Sequence, residues 1–115
     1  MEYHFIDGET AKAMMDAEKD FVLLDTRTQK EFDVCHLPGA ILIPDTDIAD
    51  EAEEKITDKD TKIFVYCRTG RRSKLAMAEL RDLGYTRLYE FGGIVDWKYE
   101  VVGDRSRAHL KAEEL

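Results

Sequence analysis

Lys62-Ile63-Phe64-Val65-Tyr66-Cys67-Arg68-Thr69-Gly70-Arg71-Arg72-Ser73 is the stretch whose reading decides the fold. Lys62 to Tyr66 is the most strand-like run of the chain, with four consecutive β-branched or aromatic residues behind a lysine. The run stops at Cys67. From Arg72 to Leu83 the period changes to that of a helix, with Ala76, Leu80 and Leu83 along one stripe, Met77 beside them, and Gly84 as a stop signal. A strand, a short loop and a helix in this order form the first part of a strand-helix-strand unit.

Upstream, Gly8 to Lys19 places Ala11, Met14, Met15 and Glu18 at helical spacing, and Asp7 is able to cap the first turn. Phe21 to Leu24 is a short apolar run ending in Asp25, which suits a strand buried on both faces. Ala40 to Ile43 gives another such run, closed by Pro44, and the acidic stretch from Asp45 to Glu54 reads as a short solvated helix. Downstream, Leu88 to Phe91 is the last strand candidate and is followed by Gly92-Gly93. Short apolar runs alternating with helical segments predict an α/β chain, a parallel sheet covered by helices on both faces. Ligands of such sheets bind at the carboxyl ends of the strands, and the best strand here ends at a cysteine. Gly103 to Leu115 is polar and is a helix candidate to which no function attaches.

The 115 residues fit one domain, and no internal repeat, low-complexity tract or linker divides them. Seventeen Lys and Arg stand against 25 Asp and Glu, a net charge of −8, which disfavours nucleic acid and anionic membrane surfaces as partners. A hydrophobic content of 43% suits a packed globule rather than a disordered chain. The amino terminus has no basic region followed by an apolar one, and no stretch is long enough to span a bilayer, so a soluble cytoplasmic protein is expected. Two cysteines, Cys35 and Cys67, are too few for a disulfide scaffold and lack metal-ligand spacing; no metal and no organic cofactor is expected.

Within the acidic total, residues 67 to 74 hold Arg68, Arg71, Arg72 and Lys74 and no acid. A loop from a strand into a helix amino terminus presents unpaired backbone N–H groups in one direction, and the helix dipole adds positive charge. Gly70 allows a tight turn, and the guanidinium groups suit bidentate binding of oxyanions. At the mouth of such a cradle, Cys67 is in the electropositive setting that favours thiolate near neutral pH, and thiolates are nucleophiles.

Two anionic chemistries use this arrangement. Cysteine phosphatases place five residues between Cys and Arg and need a carboxylic acid for the leaving alcohol, whereas only four separate Cys67 from Arg72. The segment from Cys67 to Ser73 resembles the active loop of the rhodanese family, C-R-x-G-x-R followed by Ser or Thr. Asp25-Thr26-Arg27, Glu31-Phe32, His36-Leu37-Pro38-Gly39-Ala40 and Pro44 are similar to that family's amino-terminal signature, and Gly92-Gly93 with Trp97 to its carboxyl-terminal one. The three motifs lie in the family's order within residues 21–97.

The resemblance implies a rhodanese-like three-layer fold over residues 1–103, with a five-stranded parallel sheet, followed by a polar tail at 104–115. It implies a sulfurtransferase of the thiosulfate type, moving sulfane sulfur through a persulfide on Cys67 from a small sulfur-containing anion to cyanide or a thiol. Arg68, Thr69, Gly70, Arg71, Arg72 and Ser73 become the candidate substrate-binding residues, with Arg72 alternatively tied to an acidic partner that holds the loop's shape. A persulfide carrier receiving sulfur from a relay protein is the alternative, and a phosphatase or arsenate reductase a more distant one. A monomer or weak dimer is expected.

Asp25 and Arg27, at the end of the first apolar run, are expected to form a structural ion pair. His36 is read as stabilising a turn by a hydrogen bond rather than acting as a base. Cys35 stands where the family pattern has Gly; it is expected to pack as a small apolar side chain, the alternative being a resolving thiol for Cys67.

Overall fold

All six positions of the strand that ends at Cys67 are buried, because it lies in the middle of the sheet. The computed structural model describes residues 1–115. In chain order its elements are β1 (Glu2–Phe5), α1 (Gly8–Ala17), β2 (Val22–Asp25), α2 (Gln29–Val34), β3 (Cys35–His36), β4 (Ile41–Leu42), α3 (Ile48–Lys55), β5 (Lys62–Cys67), α4 (Arg71–Asp82), β6 (Arg87–Gly93) and β7 (Val102–Gly103). The main sheet has the order β1-β6-β5-β2-β4 and every pairing in it is parallel. β3 and β7 form a separate antiparallel pair, Cys35 opposite Gly103.

Because side chains of a strand alternate between faces, β5 feeds two cores. Ile63 and Val65 join Leu24, Ile43, Leu88 and, from α3 and α4, Ile48, Ala52, Ala76, Met77 and Leu80. Phe64 and Tyr66 join Ala11 of α1, Leu23, Leu37, Phe91 and Trp97 on the other side. The result is the predicted α/β architecture, a five-stranded parallel sheet with helices on both faces. No helix is long and apolar enough to cross a membrane.

The elements differ from expectation in instructive places. β1 has no counterpart among the apolar runs because it is an edge strand: His4 and Phe5 are exposed, and it is held by pairing with β6 from Glu2 opposite Arg87 to Phe5 opposite Glu90. α2 is short, and its signal is a capping box in which the Thr28 side chain accepts from the Glu31 backbone and the Glu31 side chain accepts from the Thr28 backbone. The acidic stretch is helical, yet α3 is not simply solvated; Ile48 and Ala52 are fully buried against the core, so the helix is amphipathic. The tail forms two short 3-10 turns, Arg105–Arg107 and Ala112–Glu114, rather than a regular helix. It is packed on the body through Ala108, which belongs to the Trp97 core.

Candidate active site

The chain leaves β5 at Cys67 and enters α4 at Arg71, so the connection is only three residues long. Gly70 caps the helix at φ +108, a left-handed conformation that L side chains rarely adopt, and a Cβ there would also crowd the Gly92 Cα at 3.2 Å. Gly93 is required for closeness rather than conformation, since a Cβ would fall 2.0 Å from the Arg68 carbonyl oxygen. The Val95 N–H donates to that same oxygen at 3.2 Å, so the end of β6 and the turn that follows it clamp the loop from outside.

Cys67 is only 1% exposed. Its Sγ accepts a hydrogen bond from the Gly70 N–H at 3.0 Å and lies 3.4 Å from Ser73 Oγ in the first turn of α4. That turn carries no acid, so the helix dipole at the sulfur is not offset within the helix itself.

The three arginines occupy different places. Arg72 forms a bidentate pair with Glu31 of α2, at 2.7 and 2.9 Å. Burial opposes ionisation of Glu31 more than any one partner favours it, but the Arg72 hydrogen bonds, the Thr28 hydrogen bonds and the Arg72 charge together outweigh it and hold the carboxyl below the usual range. Arg68 donates to the His109 carbonyl at 3.1 Å, which ties the tail to the loop. Arg71 is exposed and has neither a hydrogen bond nor an ion pair. Together with Thr69, Lys111, Ala112 and Glu113, the three arginines line a cavity of about 380 Å³.

Three residues of this region carry no motif that marks them in the sequence. Lys111 and Glu113 stand in a tail with no motif, and nothing local shows that it folds back over the loop. Glu90, an acid within the otherwise apolar and aromatic run Leu88 to Phe91, was readable as an anomaly. Its carboxylate is buried beneath the loop, where it accepts from Ser73 Oγ, from the Gly92 N–H at 3.1 Å and from Lys74 Nζ at 3.3 Å.

Asp25, Arg27 and Tyr66 form a buried network on the neighbouring strand end. Arg27 Nη2 donates to Asp25 at 2.7 Å and to the Cys35 carbonyl at 2.6 Å, while the Tyr66 hydroxyl donates to Asp25 at 2.7 Å and accepts from the Leu37 N–H at 3.1 Å. Burial, reinforced by the adjacent Asp25 charge, pushes the Tyr66 phenol far up. His36 Nδ1 lies 2.8 Å from the Phe32 carbonyl and its ring stacks on Phe32 at 3.8 Å, which fixes the turn after α2. Cys35 is fully buried among apolar side chains, and burial pushes its thiol up; neither cysteine is in a disulfide.

Residues 7–100 match the family described as the Rhodanese-like domain. The chain is 28% identical over 104 residues to the adenylyltransferase and sulfurtransferase uba4 of Ogataea parapolymorpha, covering 88% of this chain and 26% of that protein, and so spans about a quarter of that relative's length. It is 33% identical over 73 residues to the thiosulfate sulfurtransferase PspE of Escherichia coli, covering 64% of this chain and 70% of PspE. A solved structure of a rhodanese with anions from E. coli superposes with a TM-score of 0.67 at 30% identity, over 72% of this chain and 98% of that one. Taken with the fold and the loop between β5 and α4, these matches show that the chain belongs to the rhodanese-like domain family.

Proposed function

We propose that the protein is a sulfurtransferase that carries sulfane sulfur on Cys67, taking it from a small anionic donor such as thiosulfate. The observation that carries this reading is the Cys67 Sγ held by the Gly70 N–H at the start of α4, in a loop whose three arginines line one cavity. The Cys67 thiolate attacks the outer sulfur of thiosulfate, and the S–S bond breaks with its electron pair leaving on sulfite. Cys67 is left as a persulfide anion. Cyanide or a thiolate then attacks that outer sulfur and restores the Cys67 thiolate, so the cycle is covalent catalysis in two half-reactions. Arg71, free of protein partners, is assigned to the donor's sulfonate end, with Arg68, Thr69 and Lys111 around it. Gly70 and Ser73 are assigned to the sulfur.

Arg72 is assigned to the loop's shape, because its guanidinium is already bound in bidentate fashion by Glu31. That engagement weighs against a phosphatase, which needs the corresponding arginine for the phosphoryl group. Ala112 is the one apolar residue lining the cavity, which favours a small anion over a protein carrying sulfur to this site. The pair Asp25 and Arg27, with His36, serves the neighbouring turns.

Mass spectrometry after exposure to thiosulfate tests the reading. The expected result is a gain of one sulfur atom on Cys67, removed by cyanide and absent in Cys67→Ser. A folded protein that gains no sulfur on Cys67 would overturn it.

A further inference from the structure

Glu90 has no part in the sulfur transfer just described, yet it sits against the residue that touches the sulfur. It enters from β6, and 2% of its side chain is exposed. A carboxylate buried in this way carries a large desolvation cost, and an apolar residue of similar volume is often at least as stable at such a position. The partners of Glu90 show what the charge acts on. Ser73 Oγ lies within hydrogen-bond distance of both Glu90 Oε2 and Cys67 Sγ. A serine hydroxyl has a single proton. With that proton given to the carboxylate, Ser73 Oγ turns a lone pair to the sulfur, and the partner it accepts is a thiol S–H.

We propose that Glu90, acting through Ser73, is a positioning residue that holds the proton of the unloaded Cys67. The proposal rests on Cys67 being the nucleophile. Ionisation proceeds by loss of the Cys67 proton to a base in solution while Ser73 keeps its own proton, directed at Glu90 Oε2. The thiolate then forms facing an oxygen lone pair and beside a carboxylate that is still charged. Loading changes the balance: in the persulfide the charge sits on the outer sulfur, about 2 Å beyond Sγ, farther from the buried carboxylate. Glu90 therefore opposes the empty thiolate more than the loaded persulfide and biases the site toward holding sulfur.

The charged groups around the loop come from several elements. Arg71, Arg72 and Lys74 lie on α4, Arg68 on the loop and Lys111 and Glu113 on the tail. Glu31 of α2 neutralises Arg72, on which Asp45 also acts, and Lys74 reaches Glu90 while 54% exposed. Glu90 is the acid linked to the sulfur through one hydroxyl.

The test is alkylation of Cys67 by iodoacetamide between pH 5 and 10 in the full chain, followed on the Cys67 peptide. In Glu90→Gln, which keeps the shape and loses the charge, the pH at half-maximal rate is expected to fall by about one to two units, with alkylation below both midpoints roughly 10 to 100 times faster. In Ser73→Ala, which loses the lone pair facing the sulfur, the midpoint is expected to fall by a smaller amount. A midpoint that stays or rises in Glu90→Gln would show that Glu90 only ties β6 to α4, and would overturn the proposal. Should that variant not fold, an unchanged or raised midpoint in Ser73→Ala overturns it equally, since it would show that Ser73 does not hold a thiol proton. Alkylation needs no sulfur transfer, so a failure to gain sulfur from thiosulfate would refute the proposed function and leave this result readable.

Discussion

Replacing Arg72 by Met leaves the Glu31 carboxylate, of whose side chain 1% is exposed, without its cation. Breaking a fully buried pair by removing one partner costs about 3–5 kcal/mol. Two features lower that figure here: Arg72 is 27% exposed, so water reaches the site, and the Thr28 N–H and hydroxyl still donate to Glu31 at 3.1 Å each. The expected loss is about 2–3 kcal/mol, a shift of about 1–2 M in the urea midpoint for a slope near 1.5 kcal/mol/M. Adding Glu31→Gln removes the stranded charge and is expected to recover the stability to within about 1 kcal/mol of the wild type. The sign with pH follows from the depressed carboxyl. Such a group contributes stability that is present above its unfolded value, about 4.3, and is lost as pH falls through the lower folded value. The gap between wild type and Arg72→Met should therefore be full at pH 7 and narrow below about pH 4. Urea unfolding of the three proteins at both pH values is the assay. A gap under about 0.5 kcal/mol at pH 7, or a double variant no more stable than the single one, would refute the idea that this pair holds α2 to the loop.

Tyr66→Phe strands the Leu37 N–H and removes one of the three donors to Asp25 Oδ2, and is expected to lower unfolding stability by about 1–3 kcal/mol in the same assay. Gly93→Ala places a Cβ against backbone at 2.0 Å, so the loop must move; about 2 kcal/mol or more of destabilisation and loss of the Cys67 sulfur adduct are expected, and a wild-type adduct yield would contradict it. Arg71→Ala should raise the Michaelis constant for thiosulfate severalfold with little change in melting temperature, and an unchanged constant would remove Arg71 from donor binding. Cys35→Ala should still gain sulfur on Cys67, and in the native wild type Cys35 should resist alkylation that its denatured form accepts, because it is packed within an apolar core and burial pushes its thiol up.

What the amino-acid sequence made legible follows burial. β5 and α4 were readable because a doubly buried strand needs an unbroken apolar run and a helix against it needs a stripe. β1 escaped because an edge strand with two exposed residues carries no such run, and its pairing partner is more than 80 residues away in the chain. The capping box at Thr28 and Glu31 was in plain view, but a helix of six residues gives periodicity little room. At the site, the loop from Cys67 to Ser73 could be read as a unit since its elements are local. The Arg72 partner was foreseen only as an acid; that it is Glu31 depends on α2 lying beside α4, which spacing along the chain does not encode. Lys111 and Glu113 were invisible for the same reason.

The loop is held from three directions: by Glu31 through Arg72, by Glu90 through Ser73, and by the backbone at Gly93 and Val95. In thermodynamic terms the cradle has already lost its conformational freedom before any ligand arrives. Donor binding then requires little ordering of the backbone, so the entropy that a flexible anion loop would sacrifice is not subtracted from affinity. A small ion offers few contacts with which to offset such a loss. A rigid receptor is the form in which a ligand of that size can be held at all.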